Sequence, residues 1–171
     1  MHRGSGKTTW VKKQLKGDTD RYVSRDEIRF SLLQDGDEYF AHETEVFKMF
    51  VDKIVQNLND VDSYRIFADA SHLNYQSRIK LLNALKEKGV DFNAIDINYI
   101  WMFTTLETCI ARNALRTGRA NVPESIIKEM YSRQSEPEIN EGVKRVYIVN
   151  EHRKCIDIKF IDAKDSNNFE Y

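Results

Sequence analysis

A chain of 171 residues is long enough to bury one full hydrophobic core and too short for two domains of ordinary size. Apolar residues make up 41% and charged residues 31%, which excludes a disordered chain, and a formal net charge of -1 excludes a global basic field that would draw in nucleic acid. No apolar run approaches the ~18 residues of a membrane span, and no signal-peptide pattern opens the chain. Cys109 and Cys155 have neither metal-ligand spacing nor a disulfide framework, so a reduced, cytoplasmic setting is expected.

Helix-like and strand-like segments alternate, which predicts an α/β fold with a mostly parallel sheet. Thr8 to Leu15 reads as a helix after a glycine-rich turn, Arg21 to Ser24 as a short strand, and Asp26 to Leu33 as a short helix. Between Glu43 and Leu58, Phe47, Phe50, Val51, Ile54 and Leu58 recur at spacings of three and four, the period of an amphipathic helix. Tyr64 to Ala68 is a strand ending on Asp69, and Asn74 caps a helix carrying Ile79, Leu82 and Leu85. Ile97 to Phe103 is the most continuous apolar run and is expected to be a buried parallel strand, with Tyr99, Trp101 and Phe103 in the core. Thr104 and Glu107 fit a capping box for a helix running to about Leu115. The basic loop Arg116 to Asn121 then leads to Pro123, expected as the first residue of another helix. Val146 to Val149 and Ile156 to Phe160 are late strands. Residues 1–161 are thus expected to form one domain and 162–171 a polar tail.

Gly4-Ser5-Gly6-Lys7-Thr8-Thr9 matches the end of the phosphate-loop pattern G-x-x-x-x-G-K-[ST]. Glycines let consecutive backbone N–H groups converge on phosphate oxygens, and the helix that follows points its positive end at the same anion. In this reading Lys7 reaches the β- and γ-phosphates of a nucleoside triphosphate such as ATP, and the Thr8 hydroxyl ligates Mg²⁺. The pattern's first glycine falls at position 1, which is Met1, and no buried strand stands upstream. The chain is therefore expected to lack the central strand that ordinarily precedes such a loop, with a cost to stability and nucleotide affinity.

Two carboxylates follow strands. Asp26, in Ser24-Arg25-Asp26-Glu27-Ile28-Arg29, lies where ligands bind in open α/β sheets, at a strand's carboxyl end. There it can take the proton of an acceptor hydroxyl, with Arg29 one turn along to hold an acceptor phosphate; equally, Ser24 and Glu27 fit a capping box and the acid suits a helix N-terminus. Asp69 either orders Mg²⁺ or a lid arginine, or belongs to a solvated turn with Ser71 and Asn74. Arg112, Arg116 and Arg119 form a dense arginine cluster, the first two four apart on one expected helix face. They either stabilise γ-phosphate charge or complement a helix C-terminus. His42 and His72 are isolated and read as surface or turn histidines rather than ligands, and no aromatic platform for nucleobases can be picked out from spacing.

In order, GSGKTTW, SRDEIR, DASHLN and RNALRTGRANVP resemble the phage-type polynucleotide 5′-kinase family of P-loop kinases over residues 3–135. The resemblance implies a three-layer P-loop kinase fold and ATP-dependent transfer to the 5′-hydroxyl of a nucleic acid. It implies that Gly4, Ser5, Gly6, Lys7, Thr8 and Thr9 hold the nucleotide and Mg²⁺, and that Asp26 is the general base. Arg25 and Arg29 would meet the acceptor, Arg29 through the phosphate 3′ to the nucleoside, and Asp69 would support the site. Arg116 would be the lid arginine, assisted by Arg112; because the lid is one residue longer than the family pattern, Arg119 is the alternative. Kinases of small hydroxyl compounds or nucleosides, and a nucleotide-binding or inactive fragment, share these motifs and remain rival readings.

Overall fold

The computed structural model describes residues 4–118 and 121–160 of the chain. Five strands and six α-helices alternate through it as α1 (Lys7–Gln14), β1 (Asp20–Ser24), α2 (Arg25–Leu32), α3 (Glu43–Leu58), β2 (Arg65–Asp69) and α4 (Tyr75–Glu87), then β3 (Asn98–Phe103), α5 (Leu106–Ala114), α6 (Glu124–Ser132), β4 (Arg145–Asn150) and β5 (Cys155–Phe160). The elements expected from periodicity are present with ends moved by a residue or two, as helix and strand ends commonly are. Among the described residues no strand precedes α1.

The strands fall in two sheets, β1-β2 and β3-β4-β5. β1 and β2 are parallel and in register from Asp20 opposite Arg65 to Ser24 opposite Asp69, so their carboxyl ends finish side by side. β3 and β4 are also parallel, and β5 returns antiparallel to β4. The apolar run in β3 is less buried than its composition predicts. Met102 is buried, Tyr99, Ile100 and Trp101 are half-buried, and Phe103 is 51% exposed. An α/β strand is buried when neighbours flank both edges; among the described residues β3 pairs with β4 alone.

The main core lies where α2, α3 and α4 close over β1 and β2. Val46, Phe50, Val51 and Ile54 from α3 meet Val23, Ile28, Ala70, Leu81 and Leu85. The i, i+4, i+8 spacing of Val46, Phe50 and Ile54 puts them on one helix stripe, and all three are nearly or fully buried. A second, smaller cluster joins Cys109 of α5 to Val122 and Ile127.

Two helix starts differ from their expected form. The cap of α5 is Thr105, whose hydroxyl accepts from the Thr108 N–H, because Thr104 is drawn inward. Pro123 is the N-cap of α6 rather than its first residue. The Ser24 hydroxyl accepts from the Glu27 N–H, and Asn74 and Ser77 form a reciprocal capping box at α4.

One buried ion pair fastens the two halves. Arg78 of α4 donates to both carboxylate oxygens of Glu141, at 2.6 Å each, and to the Ser135 and Glu136 carbonyls. Glu141 closes a short 3₁₀ helix (Ile139–Glu141) just before β4. Removing one partner strands a buried charge, so Arg78→Ala is expected to cost about 3–5 kcal/mol. The exposed pair Lys128–Glu124 is expected to contribute less than ~1 kcal/mol. Urea denaturation of Arg78→Ala and Lys128→Ala checks the contrast.

Candidate active site

The glycine-rich loop stands between the carboxyl ends of β2 and β3. On one side the Thr8 hydroxyl donates to Asp69 Oδ2 at 2.6 Å. On the other, the Thr104 hydroxyl, buried just after β3, donates to the Ser5 carbonyl at 3.1 Å. Arg112 from α5 donates to the Gly4 and Ser5 carbonyls, both at 3.3 Å, and to the Glu151 carbonyl at 2.8 Å. With these carbonyls tied off, the loop enters α1 through Gly6, whose φ of 91° only glycine adopts without strain. Gly4 is more constrained still. A Cβ there, at φ 80°, would lie 2.4 Å from the Cys109 carbonyl oxygen and 2.9 Å from its Cα. The loop thus rests directly on α5. Burial pushes the Cys109 thiol up to about 11 despite the nearby Arg112 and Lys7 charges, so it is packing rather than a nucleophile.

Asp69 is buried at the end of β2 and accepts a second hydrogen bond, 2.9 Å, from the Tyr22 hydroxyl. Burial and the Asp69 charge push the Tyr22 phenol up to about 12, although the Ser24 hydrogen bond works the other way, so Tyr22 remains a donor. A threonine hydroxyl and a carboxylate meeting at the mouth of a phosphate loop are hard oxygen donors, and they fit Mg²⁺, which takes few protein ligands and keeps several waters. Asp69 is buried between two hydroxyls rather than set in a solvated turn.

The β1–β2 register brings the start of α2 to the same end of the sheet. Asp26, in the first turn of α2, is 46% exposed, and its Oδ1 accepts from Arg29 and, at 2.7 Å, from the Tyr39 hydroxyl. Arg29 is buried and its guanidinium is divided among Asp26, Tyr39 and Glu43. Glu43, the first residue of α3, also accepts from Arg25 at 2.8 Å. Burial works against the Arg29 charge, but the hydrogen bond to Glu43 and the surrounding negative groups hold its pKa above the ordinary arginine value. For Arg25 burial wins over Glu43, and its pKa falls. Arg25, Asp26 and Arg29 line a cavity of about 250 Å³, closed by Tyr39 and Phe40 before α3 and by Ile126 and Met130 of α6.

The arginine cluster is arranged differently from its sequence reading. α5 ends at Ala114, so Arg112 and Arg116 do not share a helix face. The Asn113 side chain stops the helix by bonding the Val122 N–H and carbonyl, and Arg116 falls in the loop beyond. Arg112 braces the loop carbonyls, and Arg119 lies outside the described residues, as does the expected tail 162–171. His42 sits in a loop 3.1 Å from Asp37. His72 lies in the loop between β2 and α4 and is half-buried. Its ring packs against Phe50 and its nitrogens are buried, which with the nearby Arg25 charge pulls its pKa down to about 3.

Four residues of the site went unsingled in the sequence. Tyr22 has a weak signal, pointing to the same carboxylate as Thr8 from a strand next to β2. Thr104 was masked by its fit to a capping pattern. Tyr39 and Glu43 carry no local signal, since their contact with Asp26 and Arg29 exists only once α3 has folded back on α2.

A glycine loop at a helix start, a hydroxyl–carboxylate corner and strand ends converging on them define a P-loop phosphate-binding α/β protein. A family model described as an AAA domain matches residues 2–137. The chain belongs to that family, a P-loop NTPase-like family that includes kinases, and its α/β architecture is that of a P-loop NTPase. No curated protein matches the chain. Among the described residues no helix is long and apolar enough to cross a membrane.

Gly4→Ala is expected to push the loop off α5 and to abolish the rise in thermal midpoint that Mg·ATP gives the unmodified protein. The midpoints with and without nucleotide check it. His72 gives a pH prediction. Its folded pKa, about 3, lies below the unfolded 6.5, so the unfolded chain binds the extra proton between those values. Stability is therefore full above about pH 6.5 and falls as pH drops towards 3. In the upper part of that window, before carboxylates titrate, the thermal midpoint of His72→Gln is expected to be flatter against pH than that of the unmodified protein.

Proposed function

We propose that the protein is an ATP-dependent kinase that transfers the γ-phosphate to the 5′-hydroxyl of a nucleic acid. The observation that carries this reading is Asp26, a half-exposed carboxylate at the wall of a cavity, on the same sheet end as the Thr8–Asp69 corner. A merely capping aspartate has no need of the buried Arg29 and the Tyr39 hydroxyl trained on one of its oxygens.

In the proposed reaction the acceptor hydroxyl lies in the cavity and gives its proton to the Asp26 carboxylate as its oxygen attacks the γ-phosphorus in line. The bond from γ-phosphorus to the β–γ bridging oxygen breaks, and ADP leaves. Lys7 and the loop N–H groups neutralise charge on the transferring group, and Arg116 is proposed as the lid arginine. Thr8 and Asp69 are the residues that would hold Mg²⁺. The metal, when bound, screens charge on the phosphate oxygens. Arg29 is proposed less as a free phosphate clamp than as the group that fixes Asp26, because Glu43 already occupies two of its nitrogens. The hydrogen bonds donated to Asp26 Oδ1 hold the carboxylate in one orientation.

A second reading, a kinase of nucleosides or other small hydroxyl compounds, is favoured by the modest cavity, whose volume of about 250 Å³ falls just under the ~300–1,000 Å³ common for small-ligand pockets. Labelled γ-phosphate offered with a 5′-hydroxyl oligonucleotide and with free nucleosides separates them. Label in the oligonucleotide supports the first reading; label in nucleosides alone overturns it. Asp26→Asn is expected to lower kcat by about 10²–10⁴-fold while the ATP-induced rise in melting midpoint persists. Loss of both would make Asp26 structural, and no rise even in the unmodified protein would overturn the kinase reading.

A further inference from the structure

The aromatic pair in the connection between α2 and α3 stands beside Asp26, the proposed base, at the wall of the same cavity. Tyr39 is fixed on several sides. Its hydroxyl bonds Asp26 and accepts from Arg29, the Arg29 guanidinium lies 4.5 Å from its ring centre, and Phe30 meets it edge-on at 5.9 Å. Phe40 stands perpendicular to Tyr39, with centroids 4.7 Å apart and planes at 89°. Its ring is 5.6 Å from the same guanidinium. So Phe40 is held by a rigid neighbour, yet 51% of it is exposed.

An isolated exposed phenylalanine needs no explanation. This one lines the cavity that also holds Asp26, and the cavity's other apolar wall residues are Leu73, Ile126 and Met130. A braced aromatic ring with Leu73, Ile126 and Met130 gives the cavity of about 250 Å³ one apolar side, which suits the face of a flat ring. The charged groups of the wall, Arg25, Arg29 and Arg133 with Asp26, Glu43 and Glu129, pair with one another, which leaves the apolar side for a base.

We infer that Phe40, braced by Tyr39, is the surface on which the terminal base of the acceptor stacks, so that the site selects a base-bearing 5′-terminus without reading its sequence. Stacking on an aromatic face is tolerant of base identity because every base presents a π-face. The inference rests on the kinase reading for the position of the acceptor, but it is tested by binding and not by transfer.

The test uses the whole chain with Mg²⁺ and a non-hydrolysable ATP analogue. A 5′-hydroxyl trinucleotide and its counterpart with an abasic first residue are titrated calorimetrically. The base-bearing trinucleotide is expected to bind about tenfold tighter. Phe40→Ala is expected to erase that difference and Phe40→Trp to keep it. Because Phe40 is half-exposed, neither change should unfold the protein. Equal affinity of the unmodified protein for the two trinucleotides overturns the inference, as does a Phe40→Ala variant that weakens both alike. Transfer of label separates the two claims. Base discrimination without transfer to any acceptor sinks the kinase and leaves the stack, and transfer without base discrimination sinks the stack and leaves the kinase.

Discussion

The hydrogen bond from Thr8 to Asp69 is the joint on which the site turns. It ties the start of α1 to the end of β2, and Thr104 ties the same loop to the end of β3. The two sheets share no strand among the described residues, so the phosphate loop is the piece that spans their carboxyl ends. Everything chemical in the molecule is placed relative to it. β1 brings α2 and Asp26 alongside through its register with β2, and α5 supplies both the floor beneath Gly4 and the guanidinium that holds its carbonyl.

This arrangement makes local residues answer to distant ones. Gly4 has to be glycine because the Cys109 backbone is in the way of a Cβ, more than a hundred residues along the chain. Asp26 is held by Tyr39 and Arg29, and Arg29 is held by Glu43, so the orientation of a proposed base depends on how α3 seats against α2. The α3 stripe of Val46, Phe50 and Ile54 is what fixes that seat. Core packing and site geometry are therefore one problem on this side of the molecule.

Much of this was legible in the sequence because strong local rules apply. G-K-T-T after glycines has few other uses, α3 announces itself by its period, and Asp26 and Asp69 stand out as acids at or just past strand ends. The errors lie where two local rules fit equally well or where tertiary contact decides. Thr104–Glu107 and Thr105–Thr108 are both acceptable caps, and the demand of the Ser5 carbonyl for a donor selects the second. The arginine ladder Arg112–Arg116 assumed a helix that Asn113 ends early. His72 read as an ordinary turn histidine because nothing in its neighbours foretells that Phe50 will cover it. The strand β3 reads as fully buried, but burial depends on neighbours that sequence periodicity cannot count. Tyr39 and Phe40, which line the cavity beside Asp26, sit in a turn where no periodicity exists to be read.

The claim on which the account rests is that Thr8 and Asp69 together form the metal corner of a nucleotide site. Calorimetric titration of ATP with and without Mg²⁺, in the unmodified protein and in Asp69→Asn, tests it directly. The account predicts that Mg²⁺ tightens ATP binding in the unmodified protein and that most of this gain, but not metal-free binding, is lost in Asp69→Asn. An undiminished Mg²⁺ effect in Asp69→Asn, or no ATP binding by the unmodified protein, would contradict it.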